Sequence, residues 1–440
     1  MKTYWAYLNQ IAQTIEEKHA RSTPPVNWYH PYRSAHLEER RNELIAAIGD
    51  RLTLDFKNTK PSINSISKGC RLCGEGEWSC LFVTGKCNAN CFYCPAVQDK
   101  DETPQTQKLL FERPEVYAEY INKFNFKGVS FSGGEPLLVF DRTLEFIKTV
   151  RAKCDPSIYI WMYTNGILAT DEKFKLLADS GLDEIRFDLG AVNYNPKVLK
   201  NAAKFIKHVT VEIPAVPDEK DTLLALLPTL CEYGVTNLNL HQLRLTEYNA
   251  PKLLQREYTY LHGEQPVVAE SELTALEVID FVRENNLPIG VNYCNFQFKN
   301  RFQKAGFRTK MANVLLAEGE AITENGFIRK IEIAEAGVYR TILIDELKNI
   351  DATAANIRIA YSGRVLENLN GKTSGATYTI NGEEFPVVQG FVVSPISLTG
   401  GEISKYLEMI DAHGKLLPEN QTLFEAWKQE FIEADMREFF

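Results

Sequence analysis

Nine cysteines stand in this 440-residue chain, and six of them crowd between Cys70 and Cys94. Cys87, Cys91 and Cys94 lie in the run Gly85-Lys86-Cys87-Asn88-Ala89-Asn90-Cys91-Phe92-Tyr93-Cys94-Pro95. Three thiolates so closely spaced converge on one soft metal centre. An iron–sulfur cluster suits them, and three ligands leave one iron of a four-iron cluster free for a substrate or cofactor. The rival is structural zinc, which takes four ligands in paired Cys-x2-Cys or Cys/His groups, a pattern this triplet does not match. Upstream, Cys70 and Cys73 form a Cys-x2-Cys pair, followed after six residues by Cys80. Gly69, Gly74 and Gly76 let this loop wrap around a centre. Cys294 is the candidate fourth ligand. The centre is either an auxiliary iron–sulfur cluster or a single iron or zinc held by four thiolates. Cys154 and Cys231 fall on apolar helical faces, where free cysteine serves as a core residue.

Such loops need a scaffold, and the pattern from about 67 to 300 supplies one. Strands are expected at 80–84, 127–132, 157–163, 184–188, 207–213, 236–241 and 288–293, with helices near 114–123, 142–152, 171–180, 196–206, 221–233 and 270–285. Repeated strand–helix units imply a parallel sheet that closes towards a barrel, with reactive groups at the carboxyl ends of its strands. The expected division is an N-terminal helical extension over 1–66, a core over 67–305 with the cysteine loop at 70–80, and a C-terminal α+β domain over 306–440. In the last, Phe327–Ile333 and Tyr339–Ile344 read as strands. Ala376–Ile380 and Phe385–Val388 read as a hairpin about Asn381-Gly382, and the final 25 residues as a helix. One conflict is visible at this level. Cys80 begins the first core strand and Cys294 ends the seventh, so parallel strands set them at opposite ends unless the seventh tilts strongly or runs antiparallel.

The Cys-x3-Cys-x2-Cys spacing of Cys87, Cys91 and Cys94, with Tyr93 before the last cysteine, resembles the signature of the radical S-adenosylmethionine (SAM) superfamily. The resemblance covers roughly residues 80–245. It implies a partial (β/α)6 TIM-like barrel and a [4Fe-4S] cluster whose open iron binds the amino and carboxylate groups of SAM. It further implies reductive cleavage of SAM to a 5′-deoxyadenosyl radical, which abstracts hydrogen from a substrate. Ser132-Gly133-Gly134-Glu135-Pro136 resembles the family's GGE-type motif, which implies that Gly133 and Gly134 approach the cofactor and that Glu135 accepts from its ammonium. Tyr163-Thr164-Asn165-Gly166 and Arg186-Phe187-Asp188 resemble segments that face the cofactor, which makes Asn165, Arg186 and Asp188 candidates beside Tyr93. Glu212-Ile213-Pro214 matches loosely a segment placed against adenine. The expected partners are a small-molecule or peptide substrate and an electron donor such as flavodoxin or ferredoxin. The competing class is a non-catalytic zinc- or iron-binding protein used for protein or nucleic-acid contacts.

Other features narrow the field. A net charge of -9 argues against a broad nucleic-acid-binding surface. No apolar run reaches the ~18 residues of a membrane span, and the opening residues lack a signal peptide's apolar stretch, so the expected location is cytoplasmic. A reducing cytosol favours metal ligation over disulfides. Lys299, Arg301, Lys304, Arg308 and Lys310 read as a solvated basic face, and His241 as a satisfied strand-end histidine. Asp411-Ala412-His413-Gly414 fits a helix-ending glycine better than a cobalamin signature. No cysteine follows Cys294, which excludes a C-terminal cysteine-rich extension. A glycyl-radical activase ranks behind other radical enzymes, since those proteins can be short and need no C-terminal domain.

Overall fold

The computed structural model describes residues 2–263, 265–335, 337–350, 356–366 and 377–433. The chain opens with helices α1 (Lys2–His19) and α2 (Ala35–Ile48), strand β1 (Lys60–Ile63) and helix α3 (Lys68–Gly74). Strands and helices then alternate: β2 (Trp78–Thr84), α4 (Pro114–Lys123), β3 (Gly128–Gly133), α5 (Phe140–Lys153), β4 (Tyr159–Thr164) and α6 (Asp171–Asp179). The series continues with β5 (Glu184–Phe187), α7 (Lys197–Ala202), β6 (His208–Pro214), α8 (Lys220–Glu232) and β7 (Val235–His241). It ends with α9 (Glu270–Glu284), β8 (Gly290–Cys294) and α10 (Lys304–Leu315).

Strands β2 to β8 pair in parallel, each with the next in the chain. Strand β1 then adds antiparallel to β8, and short strands extend both edges to a total of eleven. The result is a partial barrel of the expected α/β type. The seventh parallel strand, β8, follows β7 without reversal, so Cys80 and Cys294 do lie towards different ends of their strands.

Alternation along each strand explains the hollow. Val129 and Phe131, Ile160 and Met162, Ile185 and Phe187, Val209 and Val211, and Leu238 and Leu240 are buried in the core shared with the helices. Their neighbours point to the other face, and these include Ser132, Tyr163, Arg186, Glu212, Asn239 and His241, all of which line a central cavity. A parallel sheet packed solid on both faces reads as continuous apolar runs. This one is polar inside.

Beyond α10 lie β9 (Ile328–Glu335), β10 (Val338–Ile342), β11 (Ile357–Leu366), β12 (Thr377–Ile380), β13 (Glu383–Leu398), α11 (Gly400–Asp411) and α12 (Gln421–Glu430). These strands pair antiparallel. The hairpin turns at Asn381 (φ 48°) and Gly382 (φ 80°) between paired Ile380 and Glu383, as an Asn-Gly turn requires. Its expected first residue, Ala376, lies outside the described residues. The single terminal helix expected over the last 25 residues is shorter: α12 stops at Glu430, and residues 434–440 are outside the described set.

The first 66 residues do not form a separate helical layer. Tyr4 and Leu8 of α1 join the C-terminal core with Tyr361, Tyr406 and Phe424, whereas α2 packs on α9 and β1 completes the barrel sheet. Among the described residues, no helix is long and apolar enough to cross a membrane. Ile63 in β1 is 1% exposed and pairs with Val291. Truncating it removes core contacts, so Ile63→Ala is expected to cost about 2–5 kcal/mol and to lower the urea midpoint. A midpoint equal to that of the parent chain contradicts an integral β1.

Candidate functional site

A cavity of about 1090 Å³ opens inside the barrel. Seven cysteines line it: Cys70, Cys73, Cys80, Cys87, Cys91, Cys94 and Cys294. The Cys154 thiol instead donates to the Ala118 carbonyl in the core, and all nine thiols are free.

The loop carrying Cys87, Cys91 and Cys94 leaves the carboxyl end of β2 and is clamped from two neighbouring strands. Gly134 N–H donates to the Thr84 carbonyl at 2.8 Å, and Glu135 N–H to the Lys86 carbonyl at 2.8 Å. A Cβ on Gly134 would come within 2.1 Å of Lys86 O, so the second glycine is needed for this backbone approach. Gly133 has φ 126°, and a Cβ there would meet Thr84 O at 2.2 Å. Both glycines also line the cavity.

Glu135 bonds within the protein. Its side chain is wholly buried, and its carboxylate accepts from Thr164 Oγ1 (2.7 Å), Asn165 N–H (2.7 Å) and Leu137 N–H (3.0 Å). It is not among the cavity-lining residues. Burial pushes its carboxyl pKa up, partly offset by these donors. Glu135 therefore ties strand ends together in this structure.

Asn165 lies against the cysteine loop: its Nδ2 donates to Asn88 Oδ1 at 2.7 Å and reaches Cys87 Sγ at 3.7 Å. Tyr93 Oη donates to Asp188 Oδ1 at 2.7 Å. Gly133, Gly134, Asn165, Asp188 and Tyr93 thus gather around one side of the cavity with the three cysteines. Burial pushes the Cys91 thiol up to about 12, so in the metal-free chain it is protonated at neutral pH.

Arg186 goes elsewhere. Its guanidinium pairs with Glu184 at 3.0 Å and Glu212 at 2.6 Å, donates to Ser67 Oγ at 2.9 Å and reaches Cys70 Sγ at 3.6 Å. Glu212 also takes His241 Nε2 at 2.8 Å and Asn239 Nδ2 at 3.0 Å. Burial alone would raise the Glu212 carboxyl, but Arg186 and His241 hold it well below the usual carboxylate range.

These charges adjoin a second thiol group. Cys70 and Cys73 lie one turn apart on α3, hence on one face, and α3 packs against the 299–303 turn and strands β2, β3 and β4. Cys294 ends β8 opposite His241. On the other side of β8, the antiparallel register that pairs Val291 with Ile63 and Asn292 with Ser62 carries Lys60 to the level of Cys294. Lys60 is 1% exposed and stands over the Phe298 ring at 4.4 Å. Burial would lower its pKa, but the charges of Cys294, Cys70 and Cys73 act together to raise it. Burial would likewise raise Cys294, yet Lys60, Lys299 and His241 bring that thiol down to about 6.

Cys80 shares the cavity wall. Its thiol interacts with Ser130, Glu212 and Arg186, and burial pushes it up to about 12. Among the described residues, no three His, Cys, Asp or Glu side chains converge as the ligand set of a single metal ion. That holds for both thiol groups. Sulfurs around a cluster stand farther apart than those around one ion, whose bonds are only ~2.3 Å long.

Sequence reasoning missed Lys60, Gln303 (whose Nε2 donates to Cys73 Sγ) and the charge-bearing role of Glu212. The available signal was the polar alternation within the strands. The basic run after Cys294 is not a solvated face: Lys299, Lys304 and Arg308 line the cavity, and Lys310 is 12% exposed beside Glu77. His241 is a satisfied strand-end histidine, as expected, with Glu212 at its Nε2 and Lys299 Nζ at 3.2 Å from its Nδ1.

Residues 81–222 match the family model described as the Radical SAM superfamily. A Methanocaldococcus jannaschii protein named a putative glycyl-radical enzyme activating enzyme is 30% identical over 286 residues, covering 62% of this chain and 74% of that protein. A GTP 3′,8-cyclase of Aquifex aeolicus is 32% identical over 114 residues, 26% of this chain and 35% of the cyclase. Among solved structures, Streptococcus suis SuiB bound to S-adenosylmethionine aligns over 49% of each chain, with 13% identity and a TM-score of 0.35.

The Arg186–Glu212 pair carries a pH dependence. A carboxyl held low in the fold stabilises it above the unfolded value of about 4.3, and that contribution disappears as pH falls through the folded value. Glu212→Gln leaves Arg186 with one carboxylate partner, so a cost of about 3–5 kcal/mol is expected near pH 7. Denaturant titrations across pH should show the gap between parent and variant narrowing below about pH 4.3. A gap that widens on acidification contradicts this assignment.

Proposed function

This chain belongs to the radical SAM superfamily, and on that premise we propose that Cys87, Cys91 and Cys94 hold its four-iron, four-sulfur cluster. The chain is an enzyme of SAM-dependent radical chemistry. When bound, cluster and SAM together supply reductive cleavage to a 5′-deoxyadenosyl radical, which takes hydrogen from the substrate. The observation that carries the ligand assignment is the triplet's position: three thiols on a clamped loop, at the carboxyl end of a parallel strand, line a cavity large enough for cofactor and substrate together. Soft thiolate donors suit the cluster.

Around that corner, Gly133 and Gly134 offer close backbone approach, and Tyr93, Asn165 and Asp188 offer polar atoms to SAM. Arg186 serves the second thiol group instead. That group, drawn from Cys70, Cys73, Cys80 and Cys294, holds an auxiliary iron–sulfur cluster or a single iron or zinc. The substrate is a small molecule or a peptide. The activating-enzyme name of the Methanocaldococcus jannaschii relative favours a peptide or protein. A low-potential protein such as flavodoxin or ferredoxin delivers the electron, and nine free thiols suit a reducing cytoplasm.

The test is anaerobic SAM cleavage. Single Cys87→Ala, Cys91→Ala and Cys94→Ala variants should each lose about four irons per chain and form 5′-deoxyadenosine under dithionite at no more than the protein-free rate. Retained turnover in any of them removes that cysteine from the cluster. Asp188→Ala should weaken SAM binding about tenfold, or about 1.4 kcal/mol, by equilibrium dialysis with the cluster intact. Unchanged binding removes Asp188 from the cofactor's surroundings.

A further inference from the structure

Resting on the reading that Cys87, Cys91 and Cys94 hold the cluster, we infer that Arg142 is a positioning residue for it. Its guanidinium, forked onto Asp101, closes the neck of the cysteine loop and so sets how firmly the cluster is retained.

The loop leaves β2 after Thr84 and returns through Asp101 and Glu102 to Gln105, which pairs with Phe82. A second main-chain tie lies farther up, where Cys87 N–H donates to the Gln98 carbonyl at 3.1 Å. Between those two ties the limbs are joined through side chains. Arg142 Nη1 donates to Asp101 Oδ1 at 2.7 Å and Nη2 to Asp101 Oδ2 at 3.2 Å, a two-point contact. Nη1 also donates to the Val83 carbonyl at 3.0 Å, on the outgoing limb. Asp101 Oδ1 accepts in turn from Thr84 Oγ1 at 2.9 Å, and that hydroxyl accepts from Lys86 N–H at 3.1 Å. Lys86 directly precedes Cys87. The chain of bonds thus runs from Arg142 to the edge of the first thiol.

Arg142 brings a fixed reference from outside the loop. It is the third residue of α5, and its neighbour Thr143 is wholly buried, with Oγ1 donating to the Pro136 carbonyl at 3.0 Å. Helix α5 is thereby keyed to the Gly133–Pro136 turn, whose Gly134 and Glu135 amides hold Thr84 and Lys86. The two limbs also touch at the neck: a Cβ on Gly85 would come within 2.9 Å of the Lys100 carbonyl.

Exposure separates this role from core packing. The side chains of Arg142 and Asp101 are 34% and 48% exposed, and an exposed ion pair adds little to global stability. Here one planar guanidinium binds a main-chain carbonyl of the outgoing limb and a carboxylate of the returning limb, which fixes both together. A closed neck leaves fewer conformations for the three thiols to lose when the cluster binds. The gain therefore falls on cluster retention.

The experiment uses the full chain, reconstituted anaerobically, and follows iron release to a ferrous chelator. Each variant is compared with its own Cys87→Ala counterpart, so that iron held elsewhere is subtracted. Arg142→Ala and Asp101→Asn should each release the remaining iron about fivefold faster than the parent. The double variant should release it no faster than Arg142→Ala, because the two residues form one link. The electron paramagnetic resonance signal of the reduced cluster should broaden in both single variants, while the urea midpoint of the metal-free chain stays where it is. A parental release rate or line width in either single variant overturns the inference, as do additive effects in the double variant. A midpoint that falls in step with faster release also overturns it, since the fork would then support the fold at large. A parent without any iron that depends on Cys87 overturns the ligand reading itself.

Discussion

The wholly buried carboxylate of Glu135 sets the geometry of the first thiol group. Its oxygens gather the hydroxyl of Thr164 and the amide of Asn165 from the end of β4, while its own backbone amide pairs with Lys86 at the root of the cysteine loop. Three neighbouring strand ends are thereby fixed to one another. The desolvation of that carboxylate is offset by its donors, and the loop gains a rigid seat. Asn165 then extends the connection to Asn88 and Cys87. A cluster bound there inherits an orientation relative to the barrel, and a cofactor on its open iron would enter the cavity from the carboxyl ends of the strands.

A second buried network lies inside the same barrel. Arg186 connects Cys70 to Glu184 and Glu212, and Glu212 continues to His241 beside Cys294. Such a network is tolerable inside a protein only when nearly every charge finds a partner. Here Arg186 has two carboxylate partners, and Glu212 has Arg186, His241 and Asn239. The two thiol groups share one cavity: the triplet adjoins Asp188, Lys252 and Arg244, whereas the second group adjoins Lys60, Lys299, Arg186 and Glu212.

Much of the scaffold was legible in the sequence because its signals are local. Apolar runs such as Gly128–Gly133 and Tyr159–Thr164, separated by helical stretches, mark βα units without any tertiary information. The SAM-type triplet was legible for the same reason, being one loop. Lys60 was not. Its strand is four residues long, preceded and followed by polar residues, and its importance depends on a register with β8 more than two hundred residues away. The bonds of Glu135 to the end of β4 were not legible, because a glutamate after two glycines gives no sign of whether it will face a ligand or the neighbouring strand's amides. The basic run after Cys294 carried charge statistics typical of an exposed helix, and only packing of α3 against the 299–303 turn brings it to the cavity.

The central claim is that Cys87, Cys91 and Cys94 hold a cluster that offers an open iron to SAM. Electron paramagnetic resonance of the dithionite-reduced parent protein, recorded before and after addition of SAM, tests it most directly. The account predicts that SAM changes the g-values of a cluster signal that the Cys87→Ala variant lacks. Spectra that superimpose with and without saturating SAM would contradict it.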